Sequence, residues 1–305
     1  MTDFSARLLY VFVASLARMP WSWLMRIGDA MAAAMRRLNV RESRVAMRNL
    51  EIAYPQLPAD GRERLHRAIL RATARQTLET MRLWTRPHAQ NLALIRERHG
   101  EDLFDAAVAA GKGLIVAAPH YGNWELLNQW LASKTPISIL YRPPQSAIGE
   151  AFLRIVRADD AARVTQIRAE GPAVRQLWKL MKAGGVTGIL PDQQPKAGDG
   201  EFAPFFGKQA LTMTLLNRLA ERSGAAVLFA YCERLGEGPE FALRIESAPT
   251  AIASPDAREG VAALNAAVEN IARRDPAQYQ WTYKRYTLRP PDSGEANPYR
   301  DLETH

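Results

Sequence analysis

The stretch APHYGNWELLNQW, residues 118–130, sets His120 directly after an apolar run and Glu125 five positions later, where a helical pattern begins. A neutral imidazole can take the proton of a hydroxyl as its oxygen attacks a carbonyl. A carboxylate on the other ring nitrogen would orient the ring and stabilise the imidazolium that forms. With an ordinary pKa of about 6.5, histidine needs little tuning for that task. On a continuous helix, a five-residue separation turns two side chains ~140° apart, so pairing requires an irregular turn. The residues supply one: Pro119 ends the strand, Gly122 permits an unusual backbone angle, and Asn123 is a good N-cap for a helix over 124–130. His120 then sits in a loop at a strand's carboxyl end, with Glu125 free to fold back on it. In the competing reading Glu125 merely complements the helix dipole and His120 caps the strand. Spacing alone does not choose between them.

No protein nucleophile competes for the chemistry. There is no G-x-S-x-G elbow, and Cys232, the single cysteine, lies in the apolar run AVLFAYC as a core residue would. One cysteine also excludes an internal disulfide framework. His66, His88, His99 and His305 show no metal-ligand spacing, and no Walker loop or dinucleotide fingerprint is present. The expectation is therefore no metal and no cofactor.

The elements that must position the pair follow from the pattern of apolar runs. Segments 113–119, 137–142, 163–168, 186–191, 225–232 and 241–247 read as strands, and helical stretches lie near 101–110, 124–133, 147–158, 172–183 and 211–222. This alternation predicts an α/β fold, a mixed and largely parallel sheet covered by helices, with ligands at the carboxyl ends of the strands. At 305 residues, 47% hydrophobic and 24% charged, the chain can bury a substantial core.

Residues 6–54 read as helices broken at Pro20, and YPQLPADG makes a turn with Asp60 placed to cap the next helix, which runs to about Trp84. The charge is concentrated here: residues 1–90 hold 15 Arg, no Lys and 7 acidic residues, which accounts for the whole net charge of +8. Arg37, Arg41, Arg44 and Arg48 share one helix face, as do Arg64, Arg67, Arg71 and Arg75. Such faces suit phosphates of an anionic membrane, a phosphorylated lipid or nucleic acid, or they are simply solvated. No uncharged run reaches the ~18–20 residues of a membrane-spanning helix. The ten-residue run Leu8–Ala17, followed by Arg18, Pro20, Trp21 and Trp23, instead suggests a helix lying in or dipping into a membrane surface, with a signal peptide or a buried hairpin as the alternatives. The expected organisation is a membrane-associated helical segment at 1–35, an α/β domain with a basic helical beginning at 36–288, and an irregular tail at 289–305.

PHYGNWE resembles the His-x4-Glu signature of the lysophospholipid acyltransferase superfamily, in particular its lipid A late acyltransferase branch of lauroyl and myristoyl transferases. ILYRPP (139–144), LPDQQP (190–195), FAPFFGKQALT (202–212) and QYQWTYKRYTLRP (278–290) resemble further blocks of that branch, in order, and RRLNVRESRVAMRNLEIAYP (36–55) resembles its basic N-terminal section. Glycerophosphate acyltransferases usually carry Asp at the place of Glu125 and a Pro-Glu-Gly block that is missing here. Tyr121 stands where the lipid A branch often has Phe.

The resemblance implies a glycerolipid acyltransferase-like fold and a reaction without a covalent intermediate, with His120 as base and Glu125 as its partner. Arg142 and Asp192, at strand ends facing the same rim, become candidates for positioning substrate or stabilising the charged intermediate, or for a structural ion pair. Asn123 is an N-cap first and a substrate contact second, and Lys284 and Arg285 are candidates for lipid phosphates or a carrier's phosphopantetheine. The implied donor is acyl carrier protein. The implied acceptor is a phosphorylated lipid A precursor, at the cytoplasmic face of a bacterial inner membrane, with no nucleic acid partner. The same chemistry on a lysophospholipid or a phosphatidylinositol mannoside is the alternative. A non-enzymatic basic protein binding membrane or nucleic acid is a third account.

Overall fold

The computed structural model describes residues 2–141, 146–157, 162–168, 173–291 and 293–302. Four helices come first: α1 (Thr2–Ala17), α2 (Trp21–Arg37), α3 (Arg41–Ala53) and α4 (Ala59–Trp84). Pro20 separates α1 from α2, which are bent by 110° relative to each other. A second break, not expected from the sequence, falls at Asn39, whose φ of +46° ends α2 in the left-handed region that asparagine tolerates. The helix expected to be capped by Asp60 begins earlier: Pro58 is its N-cap, and Asp60 lies in the first turn, paired with Arg64 at 2.6 Å.

No helix among the described residues is long and apolar enough to cross a membrane. The α1–α2 pair is nevertheless no buried hairpin. Ala6, Val13 and Ala17 face inward, while Phe4, Leu8, Val11 and Phe12 form an exposed stripe on α1, and Trp23 is exposed on α2. Much of the basic surface is committed internally. Arg71 and Arg75 of α4 both grip Asp29 of α2 and also reach Glu237, Arg48 pairs with Asp301, and Arg67 lies beside Glu63.

Then follow α5 (His88–Leu92), β1 (Ile95–His99), α6 (Glu101–Ala109), β2 (Leu114–Ala117), α7 (Trp124–Lys134), β3 (Ile137–Tyr141), α8 (Ala147–Val156), β4 (Val164–Arg168), α9 (Ala173–Lys182) and β5 (Val186–Ile189). After the hairpin of β6 (Gly200–Phe205) and β7 (Lys208–Met213) come α10 (Leu215–Ser223), β8 (Ala226–Leu235), β9 (Glu240–Ser247) and α11 (Ala257–Arg274). Seven strands form one sheet in the order β1-β9-β8-β2-β5-β3-β4. The β8–β9 pair is antiparallel and the other neighbours are parallel, as the mixed α/β expectation requires.

Alternate side chains of β2 enter different cores. Leu114 and Val116 pack with Phe104, Leu126 and Trp130 on one face, and Ile115 and Ala117 pack with Leu177, Leu216, Leu264 and Trp281 on the other. All four are fully buried, so β2 is the central strand of a three-layer sandwich.

All six strands read from the sequence are present. The helix expected over 211–222 starts only at Leu215, because 208–213 turns back on 200–205 through Phe206 and Gly207, both at positive φ. The edge strand β1 escaped the sequence reading because IRERH exposes four of its five residues. Among its described residues the tail from 289 holds no strand but is not detached: Tyr299 is fully buried and its hydroxyl donates to Asn49.

Candidate active site

The loop carrying His120 is built by backbone bonds from three directions. Ala118 N–H donates to Ile189 at the end of β5 (2.9 Å), and Asn123 N–H donates to Cys232 of β8 (2.8 Å). Gln280 N–H donates to the His120 carbonyl (3.0 Å), and the Gln76 amide of α4 donates to the Gly122 carbonyl (2.8 Å). Gly122 has φ +62°, and a Cβ there would collide with the Cys232 carbonyl, so this turn needs glycine on both counts. Asn123 caps α7 as expected, its side-chain oxygen accepting from Leu126 N–H at 3.1 Å, and it is itself buried. It has no exposure for a substrate contact.

Tyr121 braces the loop from behind. Its buried hydroxyl donates to Glu233 at 2.6 Å, and Glu233 is also held by Arg274 and Arg244. Burial opposes the charge on Glu233, but these donors outweigh it and bring its pKa down to about 2. The Tyr121 hydroxyl is pushed up, by burial first and by the Glu233 carboxylate next.

His120 is paired with Asp192. The ring Nδ1 lies 2.8 Å from Asp192 Oδ1, and the backbone N–H of His120 donates to Oδ2 at 2.8 Å. Asp192 follows β5, the neighbour of β2, so two adjacent parallel strands deliver both residues to the carboxyl edge of the sheet. Asp192 is nearly inaccessible and the imidazole is 13% exposed. Burial alone would raise the Asp192 pKa. The charge of a protonated His120 and the two hydrogen bonds outweigh it and hold the carboxyl below the usual carboxylate range. A carboxylate on Nδ1 fixes the proton there and leaves the Nε2 lone pair to act as base. Nε2 faces the carboxamide of Gln193 at 3.2 Å, and that same amide nitrogen donates to Gln280 Oε1 at 3.3 Å.

Glu125 does not provide the partner expected of it. It lies buried in the first turn of α7, where Oε1 accepts from the Trp84 indole N–H at 2.7 Å and Oε2 from Arg157 at 3.2 Å. The cause is the turn itself. The left-handed Gly122 and the cap at Asn123 start α7 facing α4 and α8, whereas the His120 Nδ1 faces the end of β5. Glu125 instead fixes Arg157, whose guanidinium lies over the Trp124 ring, 5.9 Å from its centroid. The Arg157 Nε is buried with no hydrogen-bond partner among the described residues.

The remaining candidates separate. Arg142 lies outside the described residues. Arg285 is buried, donating to the Leu211 carbonyl (2.6 Å) and the Thr212 hydroxyl, so it is a structural cation behind Asp192 and not a phosphate ligand at the surface. Lys284 lies over the Tyr299 ring. Arg157, Gln193 and Gln280 were not singled out in the sequence. Gln193 follows Asp192 in LPDQQP, which was a usable signal, but Arg157 carried none.

A buried carboxylate on Nδ1 of an imidazole whose Nε2 meets only an amide among the described residues, at the carboxyl edge of a mostly parallel sheet, is an arrangement suited to general-base chemistry in an α/β fold. Residues 3–287 match the bacterial lipid A biosynthesis acyltransferase family. The chain belongs to that family and is an acyltransferase. It is 26% identical to the lipid A biosynthesis palmitoleoyltransferase of Escherichia coli (strain K12), covering 98% of this chain and 94% of that one. It is 23% identical to the lauroyltransferase of the same organism, over 90% of this chain and 88% of that one. A phosphatidylinositol mannoside acyltransferase of Mycobacterium tuberculosis (strain CDC 1551 / Oshkosh) is 28% identical over 57% of this chain and 56% of its own length. The non-enzymatic account of the basic helices falls with this finding.

Proposed function

We propose that the protein transfers a fatty acyl group from the thioester of acyl carrier protein to a hydroxyl of a phosphorylated lipid A precursor, with His120 as general base and Asp192 as its partner. The observation that carries this reading is the 2.8 Å contact between His120 Nδ1 and the buried Asp192, which leaves Nε2 as the acceptor. The acceptor oxygen attacks the thioester carbonyl as Nε2 takes the hydroxyl proton, and a tetrahedral oxyanion forms. Its collapse breaks the carbon–sulfur bond, and the departing sulfur takes the proton back from the imidazolium. Thiol and ester leave, and the residues return to their starting state. Because the thioester already stores the activation, the protein need supply only position and electrostatics.

In this reading Glu125 serves through Arg157, whose guanidinium it holds beside the Trp124 ring. The exposed stripe Phe4, Leu8, Val11 and Phe12 rests in the surface of the bacterial inner membrane on its cytoplasmic side, where the acceptor resides.

The test is transfer of label from acyl carrier protein to lipid A precursors by the purified protein, beside His120→Ala and with phosphatidylinositol mannoside as a rival acceptor. Transfer to the lipid A precursor that disappears in His120→Ala is expected. Transfer only to the mannoside favours the acceptor of the mycobacterial relative, and no transfer to any phosphorylated saccharolipid excludes the proposal.

A further inference from the structure

An open groove of about 240 Å³ runs between α4, Trp124 at the start of α7 and the segment 277–282. Its floor is a single face of α4. Thr73, Thr77, Thr80 and Trp84 recur at a helical period, and Met81 flanks them. From Thr73 to Trp84 this face extends about 16 Å along the helix. The threonine stripe was hidden in the sequence among the arginines of the same helix.

We propose that this groove receives the alkyl chain of the acyl donor and that the side chains at 77 and 81 set the chain length it accepts. The proposal rests on the acyl-transfer reading above. The mouth argues for the donor. Tyr279 and Gln280 line the groove, Gln280 N–H bonds the His120 carbonyl, and Gln280 Oε1 holds the Gln193 amide that faces Nε2. The exposed Gln280 carboxamide can turn an uncharged N–H towards the oxygen of a thioester carbonyl whose chain enters here, the Gln193 amide being spent on Nε2 and on Gln280 Oε1. The walls argue likewise. Every lining side chain is formally neutral, so the phosphates of the acceptor would find no counterion, whereas threonine methyls, a thioether and two indoles offer apolar contact. The far end is apolar too: Met81 and Trp84 pack on the buried cluster that holds Ala6 and Val13 of α1 and Phe152 of α8, with Trp84 edge-on to Phe152 at 5.7 Å. A groove of this size is smaller than the ~300–1,000 Å³ pockets that enclose whole ligands. It therefore bounds the section of chain between the thioester and the end of the groove at Met81 and Trp84.

The experiment measures kcat/KM for acyl carrier protein thioesters from octanoyl to octadecanoyl, with a fixed acceptor, in the wild type and in Thr77→Trp. Thr77 is exposed, so its enlargement leaves the core of α4 intact. The expected result is a shift of the preferred donor to a shorter chain, with about fourfold lost in kcat/KM for each methylene that can no longer be buried, and an unchanged KM for the acceptor. Met81→Ala, read in the same way, shifts the preference to longer chains and stands in should Thr77→Trp not fold. Donor profiles that stay fixed in active variants, or a raised acceptor KM with the donor profile unmoved, overturn the assignment. Calorimetric binding of dodecanoate separates this failure from that of the reaction itself. Binding weakened by Thr77→Trp in a protein that transfers nothing keeps the groove and discards the reaction. Transfer with an unmoved profile does the reverse.

Discussion

Replacing Asp192 by Asn keeps the shape of the side chain but exchanges one acceptor for a donor. Asp192 now accepts twice, from the His120 backbone N–H and from the ring, each at 2.8 Å. An asparagine can satisfy only one of these with its oxygen. With the oxygen on the backbone N–H, its NH2 faces Nδ1, the ring proton moves to Nε2, and the base is lost. The imidazolium of the transition state also loses a buried counter-charge. In a Ser-His-Asp triad the equivalent change lowers kcat by ~10⁴, so a loss of about 10³–10⁴ is expected here, equal to roughly 4–5.5 kcal/mol of transition-state stabilisation. Substrate KM should change little, because no substrate atom need touch Asp192. The assay is steady-state transfer from acyl carrier protein, with circular dichroism to confirm the fold, and Glu125→Gln measured beside it. Glu125→Gln should act through Arg157 and cost less than Asp192→Asn. If Asp192→Asn stays within tenfold of wild type while Glu125→Gln abolishes turnover, the pairing drawn from the structure is wrong and the one suggested by spacing is right.

Gly122→Ala should lower the melting temperature and the activity together, since the new Cβ meets the Cys232 carbonyl at a left-handed position; the cost should exceed about 1–3 kcal/mol of backbone strain, and urea unfolding at wild-type stability would contradict this. Gln193→Leu should reduce kcat several-fold with less effect on Asp192-dependent stability, because it removes an N–H donor beside Nε2 but leaves the buried pair intact; unaltered kinetics would show that the carboxamide only fills space. Glu233 and Asp192 both have folded pKa values below the unfolded ones, Glu233 at about 2. Their contribution is therefore complete above the ordinary carboxylate range of ~4–4.5 and is lost as pH falls towards the folded values. The melting temperature should accordingly drop below about pH 4.5, with a shallower drop in Glu233→Gln. A melting temperature that rises on acidification would refute this.

The local features of the site were readable from short stretches of chain. Alternating apolar runs placed six strands, the glycine and asparagine of YGNW announced a left-handed turn and a cap, and PHYGNWE marked His120, because turn chemistry and periodicity act over a few residues. The hairpin at 200–213 and the edge strand β1 were lost for the same reason, since each is stabilised by a partner strand and not by its own pattern. The partner of His120 lay beyond that range altogether. Glu125 is five positions away and turned aside by the very loop that made it look close, while Asp192, 72 residues on, becomes the neighbour only because β5 lies next to β2 in the sheet. Strand order is decided by the packing of the whole chain around two cores. The residue types were thus determined by sequence alone, whereas which carboxylate meets the imidazole, and which arginine the other carboxylate holds, was decided by the tertiary fold.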